Sequence, residues 1–113
     1  MKVNLDYYRL NNELNKLTSE EISILDKFFK ESDDTADSYD KLLTLESSFS
    51  EIKALSDNRR NIVEFYPISR DETVLEIGAG FGEVTSSFLD RAKRVVSIES
   101  KKEKAEAIAK RYN

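Results

Sequence analysis

Apolar residues recur at helical spacing through the first half of the chain. Tyr7, Leu10, Leu14 and Leu17 predict one helix, and Thr18 with Glu21 forms a capping-box pattern that opens a second. Ile22, Leu25 and Phe29 are expected to be the buried stripe of that second helix. Residues 31–40 are polar and acidic without periodicity, which predicts a loop. Leu42, Leu43 and Leu45 then lead into a helix from Ser47 to Leu55, with Phe49, Ile52 and Leu55 on one face. Ser56 or Asp57 can cap a further helix running to Tyr66, with Ile62, Phe65 and Tyr66 inward and Pro67 ending it. Everything before Pro67 reads as helical.

The pattern changes at Thr73. The run from Thr73 to Ile77 is short, mostly apolar and closed by glycine, as expected of a parallel strand covered on both faces. Val84 and Phe88 then mark one face of a helix reaching about Arg91, and Val95, Val96 and Ile98 mark a second strand ending at Glu99. Ala105, Ile108, Ala109 and Tyr112 form the stripe of a last helix. The expected fold class is therefore α/β: a βαβα unit with two parallel strands over residues 67–113, preceded by a helical region over 1–66.

A chain of 113 residues holds one small core. The net charge of −4 argues against a dedicated nucleic-acid or membrane-surface binder, although the acids concentrate in the first half: residues 1–50 carry 11 acids and 6 bases, residues 51–113 carry 11 and 12. With no cysteine and no histidine, thiolate chemistry, a histidine base and a zinc site are excluded and no metal is expected. Asp33, Asp34, Asp37 and Asp40 lack the glycine and terminal glutamate of an EF-hand loop, so a solvated linker is favoured over a calcium site. No apolar run approaches the ~20 residues that cross a bilayer, and no leader pattern opens the chain, so a cytoplasmic location without membrane contact is expected.

All three glycines fall within five positions, in Glu76-Ile77-Gly78-Ala79-Gly80-Phe81-Gly82-Glu83, where a strand turns into a helix. Open α/β sheets bind ligands at such turns, and glycine lets the backbone pass close to them. Glu99 ends the next strand 21 residues after Gly78, within reach of the same crevice and able to accept hydrogen bonds from ribose hydroxyls. The spacing is G-x-G-x-G rather than the dinucleotide G-x-G-x-x-G, and Glu83 at the first helical turn would compete with a phosphate for the dipole. A cationic nucleoside without phosphate fits better than a nicotinamide or flavin nucleotide. The bland alternative is a tight turn that merely packs helix against strand, with Glu99 a solvated strand end.

These residues, Val74 to Thr85 followed by Val95 to Glu99, resemble the S-adenosylmethionine-binding half of class I methyltransferases, which have a Rossmann-like fold. The resemblance implies Glu76, Gly78, Ala79, Gly80 and Gly82 on the methionyl side, Glu99 on the ribose and Ser100 beside the adenine. Residues 55–67 also resemble the helix before the glycine strand in bacterial methyltransferases encoded among glycosyltransferase genes. The likeness covers about residues 55–111 and does not extend to 1–54.

The resemblance implies a methyltransferase whose acceptor is a small molecule or glycan, with nucleic acid not expected. In that family a sheet of about seven strands closes the pocket, so a chain with two strands is expected to be the first part of a longer enzyme, inactive alone and able to self-associate through its exposed sheet edge. No residue stands out as a general base. Two other readings compete. The strand pair also resembles ribosomal RNA adenine dimethyltransferases, but the segment before Thr73 lacks their Q-N-F-L sequence, and the bases Arg91, Lys93, Arg94, Lys101, Lys102, Lys104, Lys110 and Arg111 are more simply solvated helix faces than an RNA patch. A module that binds the nucleoside without transfer is the third. Tyr7, Tyr8, Phe28 and Phe29 fit core positions better than ligand stacking.

Overall fold

The computed structural model describes residues 2–5, 8, 16–31 and 39–112. The expected first helix, on Tyr7, Leu10 and Leu14, lies outside them, as do Asp33, Asp34 and Asp37. Leu17 lies in a non-helical stretch ahead of α1, packed against the core.

Helix α1 (Ser19–Asp26) begins as the sequence predicts: the Thr18 hydroxyl accepts the Glu21 amide and the Glu21 carboxylate accepts the Thr18 amide. Its inward face is Glu21, Ile24, Leu25 and Phe28, not Ile22, Leu25 and Phe29. Ile22 and Phe29 are about half exposed. The face is rotated because a charged residue sits on the core side: Glu21 is buried against Lys101 and Lys104, which a polar-outward pattern does not anticipate. A π-helical stretch, Lys27–Glu31, continues α1 and carries Phe28 inward.

A short 3-10 helix, Tyr39–Leu42, buries Tyr39 in what the composition marked as a solvated loop. Helix α2 (Phe49–Leu55) has a second capping box, Ser48 with Glu51. It buries Ala54 and Leu55, leaving Phe49 and Ile52 outside. The helix expected to reach Tyr66 is instead a 3-10 turn, Asp57–Ile62, capped by Ser56. Beyond it, the carbonyls of Val63, Glu64 and Tyr66 accept hydrogen bonds from the Arg91 guanidinium, so they are satisfied without a helix. Ile62, Phe65 and Tyr66 consequently lie exposed.

Strands β1 (Thr73–Ile77) and β2 (Arg94–Ile98) pair in parallel, with Val74 opposite Val95, Glu76 opposite Ser97 and Ile77 opposite Ile98. Between them α3 (Thr85–Leu89) is shorter than expected and buries Thr85 and Ser87; Val84 and Phe88 are half-buried. Helix α4 (Lys102–Arg111) follows β2 and buries Ala107 and Ile108. The α/β class, a partial Rossmann-like unit behind a helical region, is thus as the sequence predicts. Coverage of the strands is not. Leu75, Ile77, Val96 and Ile98 share one face of the sheet, and all four are exposed.

The core lies instead under the glycine turn. Phe28 is fully buried between Tyr39 and Phe81, with ring centroids 4.6 and 5.6 Å away, and Ile24, Leu25, Ala54, Leu55 and Ala107 complete the cluster. Phe81, the residue between the second and third glycines, is therefore an anchor: its ring enters the core and fixes the bend to the helical layer. No described helix is long and apolar enough to cross a membrane.

Candidate functional site

The ladder between β1 and β2 runs on into the glycine bend, because the amides of Gly78 and Ala79 both donate to the Ile98 carbonyl, at 2.8 and 3.1 Å. That shared acceptor draws the bend over the end of β2. All three glycines adopt the left-handed region, with φ of 74, 62 and 79° at Gly78, Gly80 and Gly82. Their surroundings differ. A Cβ on Gly80 would lie 2.7 Å from a Glu83 carboxylate oxygen, and one on Gly82 would lie 2.8 Å from the Tyr112 ring. At Gly78 nothing lies within 4 Å of that position, and the residue is exposed. A Cβ on Gly82 would thus run into packed side chains, one on Gly80 only into the movable end of Glu83, and only Gly78 leaves open space.

Glu99 sits where the sequence predicts, and its carboxylate turns toward the bend. The Gly80 amide donates to Glu99 Oε2 at 2.8 Å, while the Lys101 amide (3.0 Å) and the Ser100 hydroxyl (3.3 Å) donate to Oε1. Glu83 folds back so that its carboxylate accepts the Phe81 amide at 3.1 Å. It occupies a loop amide that a phosphate would otherwise use, in line with the argument against phosphate. Ala79 is buried and Ser100 is exposed beside Glu99.

Glu76 is placed apart from these groups. Its carboxylate is buried beneath the bend, accepting the Thr85 hydroxyl at 2.8 and 3.1 Å and the Ser97 hydroxyl at 2.7 Å. Burial pushes its pKa above the usual carboxylate range; the two hydroxyl donors oppose that, and the nearby Glu83 charge adds to it. Thr85 and Ser97 escaped the motif reading, although for Ser97 the signal was there: residues 76 and 97 each precede by two the residues, 78 and 99, already assigned to one site.

Tyr8 also escaped it. Its hydroxyl donates to the Glu99 carbonyl, bringing the N-terminal segment to the rim of the site. Its pKa is raised, first by burial and then by the charges of Glu99 and Glu103. A cavity of about 330 Å³ lined by Tyr66, Ile68, Glu72, Thr73, Val74 and Phe88 lies at the opposite end of β1 from the bend. Among the described residues no cluster of acids, cysteines or histidines has the arrangement of a metal site.

Most of the basic run is used internally. Arg91 binds four backbone carbonyls, Lys101 and Lys104 pair with Glu21 at 2.5 Å, Lys110 donates to the Phe28 carbonyl, and the Arg111 side chain is buried. Glu21 is pushed up by burial but pulled down harder by the two ammonium groups and the Thr18 amide, reaching about 2.

Residues 57–113 match the family model of ribosomal RNA adenine dimethylases, which spans both strands, the glycine bend and α4. The chain belongs to that family. Its members are class I methyltransferases that use S-adenosylmethionine as methyl donor. Relatives include a probable ribosomal RNA small subunit methyltransferase A from Methanosphaera stadtmanae, 40% identical over 58 residues, which are 50% of this chain and 21% of the relative. Proteins named ribosomal RNA small subunit methyltransferase A from Clostridium botulinum and Paenarthrobacter aurescens are 51% and 52% identical over 39 and 40 residues, 34% and 35% of this chain and 14% of each relative. The chain thus spans about a fifth or less of the length of these relatives. No solved structure matches.

Membership overturns the expectation of a small-molecule or glycan acceptor with nucleic acid not expected, and favours the ribosomal RNA alternative. The net charge misled because the acidic excess belongs to residues 1–50, outside the matched segment. The Q-N-F-L sequence is a feature of the segment ahead of the first strand, and its absence did not place the chain outside the family.

Proposed function

We propose that the chain is the cofactor-binding portion of a methyltransferase that acts on adenine in small-subunit ribosomal RNA. The observation that carries the proposal is the contact between the Glu99 carboxylate and the Gly80 amide, in the segment matched by the family model. It brings the acid of one strand end against the glycine bend of the other.

The residues present fit one side of an adenosylmethionine. Gly78 offers exposed backbone with open space, and Glu99 offers a carboxylate already aimed by two amides. About three of the roughly four acceptor positions of Glu99 are engaged, the weakest by Ser100 at 3.3 Å. A ribose hydroxyl would take that place, releasing the Ser100 side chain toward the adenine edge. Gly78 and Gly80 would line the methionyl side, while Ala79 and Gly82 are buried and would act by shaping the bend. Glu76 would act there from beneath, fixing Thr85 and Ser97 rather than touching the ligand.

The cofactor supplies an activated methyl group on a sulfonium. This chain's residues supply orientation, with Glu83 and Glu99 adding negative charge near the cation. RNA contact would draw little on the basic run from Arg91 to Arg111, since Arg91, Lys101, Lys104, Lys110 and Arg111 are engaged internally.

Calorimetric titration with S-adenosylmethionine and S-adenosylhomocysteine tests the site. Binding is expected, weakened about tenfold by Glu99→Ala and abolished by Gly80→Val, which puts a β-branched residue where φ is 62°. Wild-type affinity in both variants would remove the site. Methyl transfer to ribosomal RNA by the longest natural form of the chain, with RNA binding that falls steeply as salt rises, separates the RNA acceptor from a module that binds without transfer.

A further inference from the structure

Two consecutive residues at the end of α4 hold two consecutive carbonyls of the glycine bend. Arg111 Nη1 donates to the Phe81 carbonyl at 3.1 Å, and the Tyr112 hydroxyl donates to the Gly82 carbonyl. The same guanidinium donates to the carbonyls of Ala54 (2.7 Å) and Leu55 (3.2 Å) at the end of α2 and to Asp57 Oδ1 (3.2 Å). Its side chain is only 3% exposed, and it lies within 6.0 Å of the ring centres of Phe28, Tyr39 and Tyr112.

We propose that Arg111 and Tyr112 are positioning residues for cofactor binding: together they set the peptide planes of the glycine bend and tie them to the helical layer. The proposal rests on the cofactor reading above and extends it to residues no motif marks. A trans peptide points its N–H opposite its C=O, so pinning the Gly82 carbonyl on α4 turns the Glu83 amide to the other side of the bend. Arg111 fixes the preceding plane in the same way. Glycine at 82 is what lets Tyr112 approach so closely. The arrangement also gives residues 1–54 work to do. The carbonyls of α2 and the rings of Phe28 and Tyr39 hold the guanidinium that holds the bend, so disturbing the helical layer should loosen the cofactor site.

The test uses Tyr112→Phe, which removes one hydroxyl and keeps the ring, and Arg111→Lys, which keeps the charge and loses the fork. Arg60→Gln, which cuts exposed ion pairs to Glu64 and Asp90, serves as the control. Affinity for S-adenosylhomocysteine is measured where every variant is fully folded, together with amide exchange at residues 80–85 without ligand. A merely structural role would lower the melting temperature and leave the affinity of folded protein unchanged. The clamp predicts affinity about tenfold weaker in Tyr112→Phe and weaker still in Arg111→Lys, with faster exchange in both and neither effect in Arg60→Gln. If the wild-type chain binds and Tyr112→Phe binds equally well with unchanged exchange, the clamp is wrong and the cofactor reading stands. If the wild-type chain binds nothing, the cofactor reading falls and the clamp falls with it.

Discussion

Phe28 and Leu75 are both large apolar residues on regular elements, yet Phe28 is fully buried between two aromatic rings and Leu75 is 57% exposed. The contrast extends to their neighbourhoods. Around Phe28, side chains from α1, the 3-10 turn at Tyr39, α2, the glycine bend and α4 close on one another. Around Leu75, the face it shares with Ile77, Val96 and Ile98 has nothing above it among the described residues. Stability in this chain therefore resides in the helical layer, and the strands contribute mainly by directing two loops to one place. The glycine bend belongs to both regions: its backbone extends the ladder, and Phe81 at its centre enters the core.

The largest effect expected from this division is that of Phe28→Ala. Removing a fully buried aromatic ring costs about 3–5 kcal/mol, a large share of the roughly 5–15 kcal/mol that holds a small domain together. Urea denaturation should show the midpoint collapsing. Cofactor affinity should fall as well, since Phe81 loses the ring it stacks on. An unfolding midpoint close to wild type would mean that the cluster is not the main store of stability.

A smaller effect separates two buried carboxylates with opposite shifts. Glu21, held near 2 by Lys101 and Lys104, joins α1 to α4 and belongs to the helical layer. Its folded pKa lies below the unfolded value, so its contribution is complete above about pH 4.5 and is lost as pH falls toward 2, by about 2 kcal/mol once partial exposure is allowed for. Glu76 lies between strand and α3, and burial raises its pKa. Its contribution is therefore present below the ordinary carboxylate range and is lost as pH rises through the raised value. Thermal unfolding as a function of pH should show Glu21→Gln flattening the acid limb and Glu76→Gln flattening the limb above it. The same limb flattened by both variants would show that the two regions do not titrate independently.

How much of this was legible in the sequence follows the same line. Both strands, the glycine bend, Glu99 and the Thr18 capping box could be read because local chemistry fixes them: glycine where φ is positive, Thr18 with a glutamate three residues on; the same pattern at Ser48 and Glu51 went unread. The buried faces of α1 and α2 could not. Periodicity treats charge as outward, whereas Glu21 lies inward because two lysines from 80 and more residues away meet it. Tyr39 was hidden by acidic neighbours, and the helix expected up to Tyr66 was displaced by one distant arginine. Arg111 looked like a solvated base because nothing local shows that four acceptors and three rings converge on it. The acceptor was misjudged because net charge sums over the whole chain, whereas the acidic excess lies in residues 1–50, outside the matched segment.

The smallest expected effect is on the open face of the sheet. Ile77 is 76% exposed, so Ile77→Ser removes apolar surface of which only about a quarter was withdrawn from water. At about 25 cal/mol per Å² that leaves little transfer free energy to lose, offset in part by the weaker strand preference of serine. The backbone bonds that carry the ladder into the bend, from the Gly78 and Ala79 amides to the Ile98 carbonyl, do not involve the side chain at 77. Urea denaturation of Ile77→Ser should therefore give a stability within about 0.5 kcal/mol of wild type. A loss approaching that of Phe28→Ala would require the face to be covered in solution, and the division between a closed helical layer and an open sheet would no longer hold.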